Sequence, residues 1–202
     1  KVSGDTGLWF RREDGQLFLL LCDGMGSGPG AKQESAQAAK LLENFLRAGM
    51  AAQEAVETVS SALALRGEAG GSTTIDLLSV DLFTGKCAVH KQGAAPTYVR
   101  RDKRIQCAVG ASLPAGIVTG EQAKPDVHRF RGAQGDWIVM VTDGILCGRD
   151  DQWIRDLLAS YQGDSPSDLA QRILRQSQDL CQGEDDGTVL AVHLERSRDP
   201  LG

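Results

Sequence analysis

The sequence has no apolar run near the roughly 18 residues needed to cross a bilayer, and no signal-peptide pattern opens it. It has no surplus of basic residues. Lys and Arg number 22 against 27 Asp and Glu, and the net charge of -5 argues against a general nucleic-acid or anionic-membrane binder. The five cysteines (22, 87, 107, 147, 181) include no CxxC pair, and their odd number and wide spacing argue for reduced thiols in a cytosolic protein. There is no internal repeat, low-complexity segment or internal linker. No Ser-His-Asp order or nucleophile elbow is visible. His90, His128 and His193 are scattered over strand patterns without ligand spacing, which leaves them packing or surface roles. Trp9, Trp137 and Trp153 read as core residues.

What is present centres on Leu17 to Gly30, LFLLLCDGMGSGPG. An apolar run from Leu17 to Cys22 reads as a buried strand. It stops at Asp23, and glycine then takes every second place at 24, 26, 28 and 30. A carboxylate at a strand tip, followed by backbone free to fold tightly, is a way to hold a cation or a phosphate. Trp137 to Thr142, WIVMVT, repeats the design and ends in Asp143-Gly144. A third acidic corner, Glu184-Asp185-Asp186-Gly187, precedes a closing apolar run. The repetition predicts that the three corners meet around metal ions.

The rest is ordinary for a globular chain of 202 residues with 41% hydrophobic and 24% charged residues. Asp14-Gly15 predicts a hairpin turn between a strand at 8–11 and the one ending at Asp23. Helices are predicted over about 31–48, closed by Gly49, and about 52–65. From Ser72 the period changes to strands at 74–83, 86–91, 97–101, 104–108, 126–131 and 137–142. Helices follow over about 152–160 and 167–181, the second capped by Ser165 or Ser167, before a closing strand at 188–194. Strands joined by short turns imply antiparallel sheets. Helices in pairs, rather than between each strand and the next, predict an α+β fold: a layered sandwich of two sheets with helices outside. Residues 1–202 read as one domain. The start at Lys1, without Met and directly before patterned residues, raises the expectation of a domain trimmed from a longer protein.

Carboxylates brought together repel, at roughly 4 kcal/mol per pair for about 4 Å and an effective dielectric near 20. Protons or cations must compensate, and hard oxygen ligands select Mg²⁺ or Mn²⁺. Two such ions can share a water, lower its pKa and aim the hydroxide at phosphorus. Most Asp-Gly pairs are turns, and Asp14-Gly15 and Asp102 are taken so. Asp23 and Asp143 differ because each ends a wholly apolar strand, where a charge sits close to the core. Two rival motifs are weaker. Gly26 to Ala31 fits the G-x-G-x-x-A of a dinucleotide fold, but a second helix follows where that fold needs a parallel strand. Asp185-Asp186-Gly187-Thr188 also fits the nucleophile motif of haloacid-dehalogenase-like phosphatases, but it lies late in the chain and after a polar helix end.

Six pieces stand in order across nearly the whole chain: Val2-Ser3-Gly4-Asp5, DGMGSG at 23–28, Ser72-Thr73-Thr74-Ile75-Asp76, Leu113-Pro114-Ala115-Gly116-Ile117, Thr142-Asp143-Gly144-Ile145 and Asp185-Asp186-Gly187-Thr188. The set resembles the metal-dependent protein phosphatases of the PPM (type 2C) family, above all the bacterial branch typified by stage II sporulation protein E. The resemblance implies an α-β-β-α sandwich with two Mn²⁺ or Mg²⁺ between the sheets. By motif position Asp23 would bridge both ions, Gly24 would offer its carbonyl to one, and Asp143 and Asp185 would hold the other. Asp23, Asp143 and Asp185 are thus the implied catalytic set. Asp5 resembles an acidic position that reaches a metal mainly through water. Asp186 is a lesser candidate, because the first member of the family's acidic pair is the ligand. Gly187 replaces the usual methionine. No counterpart of the phosphate-binding Arg of eukaryotic members is found, so phosphate would be held mostly by the metals.

The implied substrate is a phosphoserine or phosphothreonine protein. In the sporulation branch it is a phosphorylated anti-anti-sigma (STAS-type) factor, whose dephosphorylation frees a sigma factor. That branch carries membrane spans ahead of this domain, which implies a cytoplasmic domain of a membrane-anchored parent, with no nucleic-acid partner. The helix pair 31–65 is similar to a regulatory switch, with a regulatory homodimer through it as a further expectation. Ala48→Glu or Val59→Glu on that pair is expected to lower activity more than stability. Two readings of other classes stand beside the enzyme: a non-catalytic phosphoprotein-binding module of the same fold, and a nucleotide-binding oxidoreductase.

Overall fold

A computed structural model describes residues 2–26, 28–66, 71–181 and 186–195. Five strands, β1 (Asp5–Arg11), β2 (Gln16–Gly24), β3 (Thr73–Asp81), β4 (Lys86–Gln92) and β7 (Asp126–Arg131), pair in that order into one antiparallel sheet. Four more, β5 (Thr97–Arg101), β6 (Arg104–Ala108), β8 (Trp137–Val141) and β9 (Val189–His193), form a second antiparallel sheet in the order β6-β5-β8-β9. The helices α1 (Pro29–Arg47) and α2 (Ala52–Ala64) pack on the first sheet. After the one-turn α3 (Asp143–Leu146), α4 (Gln152–Ser160) and α5 (Pro166–Cys181) pack on the second.

Alternation along the strands builds the layers. Leu20, Cys22, Ile75 and Leu77 turn to one face of the first sheet and meet Leu42, Leu46, Val56 and Val59 of the helices. Their neighbours Leu19, Leu21 and Leu78 turn to the other face and meet Val99, Ile138 and Met140 of the second sheet. Tyr98, Val139 and Val141 then face Ile154, Leu158, Leu169 and Ile173. Each such buried aliphatic side chain contributes about 1.5–3 kcal/mol, so the α-β-β-α order follows from where the apolar residues fall. Gly49, at φ +92°, stops α1. Its N–H bonds Leu46 O and the N–H of Met50 bonds Phe45 O, the paired bonds that close a helix on a left-handed residue. Ser165, not Ser167, caps α5, accepting the Asp168 N–H at 3.2 Å.

Between the sheets lies a charged cluster. Lys91 Nζ sits 2.7 Å from Asp76 Oδ2 and 2.9 Å from Thr97 Oγ1, and the Thr97 hydroxyl bonds the same Asp76 oxygen at 2.6 Å. All three side chains are buried.

Several expectations are corrected. Trp9 is 68% exposed rather than core: Leu8 and Phe10 take the helix-facing side of β1, and Trp9 falls on the opposite side of a strand at the sheet edge. The thiols are not all reduced, since Cys147 and Cys181 are joined as a disulfide. Cys22 and Cys87 are buried and free. Val59 is wholly buried in the core, so a Glu there would unfold the helix pair and could not separate activity from stability; Ala48 is exposed. The antiparallel pairing of β2 with β3 overturns the dinucleotide-fold reading, which needs a parallel strand at that point. Among the described residues no helix is long and apolar enough to cross a membrane.

Candidate metal centre

The acidic corners come together because antiparallel pairing puts their strand ends on one side of the molecule. In the β1–β2 register Asp5 stands opposite Asp23, and in the β2–β3 register Asp23 stands opposite Thr74. Asp143 opens α3 directly after β8, and Asp186 leads towards β9. A cleft of about 200 Å³ is lined by Gly4, Asp5, Asp23, Gly24, Met25, Gly26, Asp143 and Asp186. Four of the predicted acids therefore share one space with Gly24. Asp185, the fifth, lies outside the described residues, as does Glu184.

Backbone and hydroxyl groups hold these acids in place. The Asp23 N–H bonds Thr74 Oγ1 at 3.1 Å, and the Thr73 hydroxyl donates to Asp23 O at 2.8 Å. Thr73 is in turn bridged to Ala115 of the Leu113–Ile117 connector. The Met25 N–H bonds Ser72 O at 2.9 Å. Thr142 Oγ1 donates to Asp5 Oδ2 at 2.9 Å and accepts the Thr188 N–H at 2.9 Å. Lys32 donates to Asp5 O and, at 3.2 Å, to Thr6 Oγ1. Two glycines permit close approach: a Cβ on Gly24 would collide with the Ala31 backbone at the start of α1, and one on Gly144 with the carbonyl oxygen of Asp186. Thr142, Thr73 and Thr74 received no role from the sequence, although Thr142 directly precedes Asp143 and Thr73 and Thr74 sit in the motif that ends at Asp76. Membership of those motifs was the available signal.

The electrostatics are those of a crowded acid cluster. Burial first, then the hydrogen bond with Asp143 and the charges of Asp5 and Asp143, push the Asp23 carboxyl up to about 8. Among the described residues no ion pair reaches Asp5, Asp23 or Asp143. A cation in the cleft would offset this repulsion and stabilise the ionised form of Asp23. The donor set, carboxylates with the Gly24 carbonyl, is all oxygen and fits a hard divalent ion. Among the described residues no three acid, imidazole or thiol groups are gathered close enough to hold one ion, so the acids line the cleft rather than converge on one point.

Known proteins share the sequence pattern and the fold. A model of the family described as Stage II sporulation protein E (SpoIIE) matches residues 13–195. The Stage II sporulation protein E of Bacillus subtilis (strain 168) is 28% identical over 97% of this chain, which spans about a quarter (24%) of that protein's length. The solved PP2C phosphatase domain, with a fragment of the regulatory domain, of the cell fate determinant SpoIIE from Bacillus subtilis superposes with a TM-score of 0.89 at 27% identity, covering 98% of this chain and 59% of that one. RsbX in complex with magnesium, at 20% identity, shares the fold with a TM-score of 0.74 over 95% of this chain and 87% of its own. The chain therefore belongs to the Stage II sporulation protein E family, within the PP2C-type serine/threonine phosphatase domains.

Proposed function

We propose that this chain is a metal-dependent protein serine/threonine phosphatase that hydrolyses a phosphoserine or phosphothreonine on a regulatory protein. The observation that carries the reading is the cleft lined by Asp5, Asp23, Asp143 and Asp186 from four separate parts of the sequence. Two bound Mn²⁺ or Mg²⁺ would supply charge neutralisation for the phosphoryl group and activation of water. Asp23 and Gly24 would hold both ions between them, with Asp143 and Asp185 on one, Asp5 reaching the site through water and Asp186 beside it. Thr142 orients Asp5, and Thr73 and Thr74 fix the backbone of Asp23, so these acids are aimed before substrate arrives. Among the described residues no arginine lines the cleft, which leaves the phosphate to the cations.

The substrate we assign is a phosphorylated anti-anti-sigma (STAS-type) protein, in keeping with relatives named as a sporulation protein and a cell fate determinant. Residues 1–202 would be a single phosphatase domain, the cytoplasmic part of a longer and membrane-anchored parent, with a regulatory homodimer formed through the helices at 31–65. The test is hydrolysis of p-nitrophenyl phosphate with Mn²⁺, with and without chelator, by the wild type and Asp143→Ala. Activity that needs Mn²⁺ and Asp143 supports the enzyme. Equal rates in every sample defeat it in favour of a non-catalytic phosphoprotein-binding module.

A further inference from the structure

The two cysteines that the sequence pattern left unpaired stand beside the acidic cleft. Cys147 caps α3, four positions after Asp143, and Cys181 ends α5, five positions before Asp186. Their Cα atoms are 5.8 Å apart, within the span of a disulfide, and their sulfurs are joined. Cys147 has φ +53°, a left-handed conformation that a residue other than glycine keeps only where its surroundings impose it. Cys181 lies 3.3 Å from the hydroxyl of Ser177, which itself donates to Ile145 O of α3 at 2.9 Å. Exposure is unequal. Cys147 is half-buried, whereas Cys181 is 6% exposed and borders a second cleft of about 230 Å³ that shares Asp186 with the first.

We propose that Cys147 and Cys181 form a reversible thiol–disulfide modification site, with a small-molecule disulfide as co-substrate, and that closing the bond tightens divalent-cation binding in the adjoining cleft. The second half rests on reading that cleft as a metal centre. The Cys147 thiolate attacks one sulfur of the small disulfide and expels one thiolate, leaving a mixed disulfide. The deprotonated Cys181 then attacks Cys147 Sγ and expels the second thiolate, and the two protein thiol protons end on the two released thiols. Two protein thiols are oxidised and one disulfide is reduced, with no other electron acceptor. Such reversible bonds are the form that disulfides take in reducing compartments.

The coupling to the cleft is geometric. The bond ties α3, which carries Asp143, to the end of α5, and it closes a loop of sequence separation 34. It acts beside the point where Gly144 and the Asp186 carbonyl already touch. Without it, these walls are held by the Ser177–Ile145 hydrogen bond and by packing. Restricting their separation before the cation arrives removes an ordering cost from binding. By reciprocity, the cation favours the disulfide by the same factor.

The test equilibrates the chain in glutathione redox buffers with and without Mn²⁺, followed by acid quench, alkylation and mass analysis. Calorimetry then gives the Mn²⁺ affinity of each form. The expected result is a 147–181 bond in excess oxidised glutathione and an affinity about fivefold or more tighter in the oxidised form. Mn²⁺ should shift the redox midpoint by the same factor. Cys147→Ser and Cys181→Ser should each bind Mn²⁺ like the reduced form in every buffer. Failure to form the bond, or equal affinities in the two states, overturns the proposal and leaves the phosphatase reading standing. Absence of Mn²⁺ binding in both states overturns both together.

Discussion

The hydroxyl of Thr142 donates to Asp5 Oδ2 at 2.9 Å, joining two buried residues 137 positions apart in the chain. Because Thr142 Oγ1 also accepts the Thr188 N–H, one side chain ties together the start of β1, the end of β8 and the approach to β9. Thr142→Val keeps the shape and removes both bonds. Urea unfolding is expected to show a loss of about 1–3 kcal/mol, the cost of stranding buried polar groups. Mn²⁺ binding should weaken in parallel, and Thr142→Ser should restore both.

Asp143→Asn removes a charge that opposes ionisation of Asp23. The metal-free variant should melt at or above the wild-type temperature, while the rise in melting temperature that Mn²⁺ gives the wild type should vanish. Loss of an outer-shell partner costs up to about 100-fold in metal sites, so loss of a direct ligand should lower p-nitrophenyl phosphate hydrolysis by at least that. A variant that loses stability without Mn²⁺ would contradict this account of the cleft.

Gly144→Ala and Gly26→Ala should differ sharply, although Gly144 directly follows Asp143 and Gly26 lines the same cleft. A Cβ at Gly144 meets backbone, the Asp186 carbonyl, and can be accommodated only by parting the two corners. Gly26 has φ +93° with open space around it, so alanine there carries only a conformational cost of about 1–2 kcal/mol. Thermal melts with and without Mn²⁺ should show the metal-induced stabilisation lost in Gly144→Ala and retained in Gly26→Ala.

Lys91→Met alone leaves Asp76 buried without its cation, at an expected cost of about 3–5 kcal/mol. Asp76→Leu combined with Lys91→Met replaces the pair by apolar groups and should recover most of that loss. A double-mutant cycle by chemical denaturation measures the recovery, and additive losses would show that the pair does not act as a unit.

His90 sets a pH dependence. It is 3% exposed, and burial, with the Arg129 charge acting the same way, lowers its imidazole from 6.5 to about 4. Above pH 6.5 neither the folded nor the unfolded form carries the proton, and the full stability is present. Between 6.5 and about 4 the unfolded chain takes the proton first, so stability falls as pH falls, by up to about 3 kcal/mol from this residue. Comparing unfolding free energies of the wild type and His90→Gln over that window should isolate the slope.

Most of the fold was legible because hydrophobic period and turn chemistry are local. The strands at 97–101, 104–108 and 126–131 needed no information beyond their own residues and turns. Trp9 was misplaced because alternation assigns it to a face of β1 but does not say that β1 is an edge with little beyond that face. The Cys147–Cys181 pair escaped because nothing in a separation of 34 residues says that α3 will lie against the end of α5.

By itself, then, the chain's order of residues determined which segments are strands and helices, and which acids end apolar runs. Those properties depend on neighbours a few positions away. Only the tertiary structure decided that Asp5, Asp23, Asp143 and Asp186 share a cleft, that Thr142 aims Asp5, and that burial and its acidic neighbours push the Asp23 carboxyl up to about 8. The reason is physical. Repulsion and burial act through space over a few ångströms, and only the stacking of two sheets brings positions 5 and 142 within that reach.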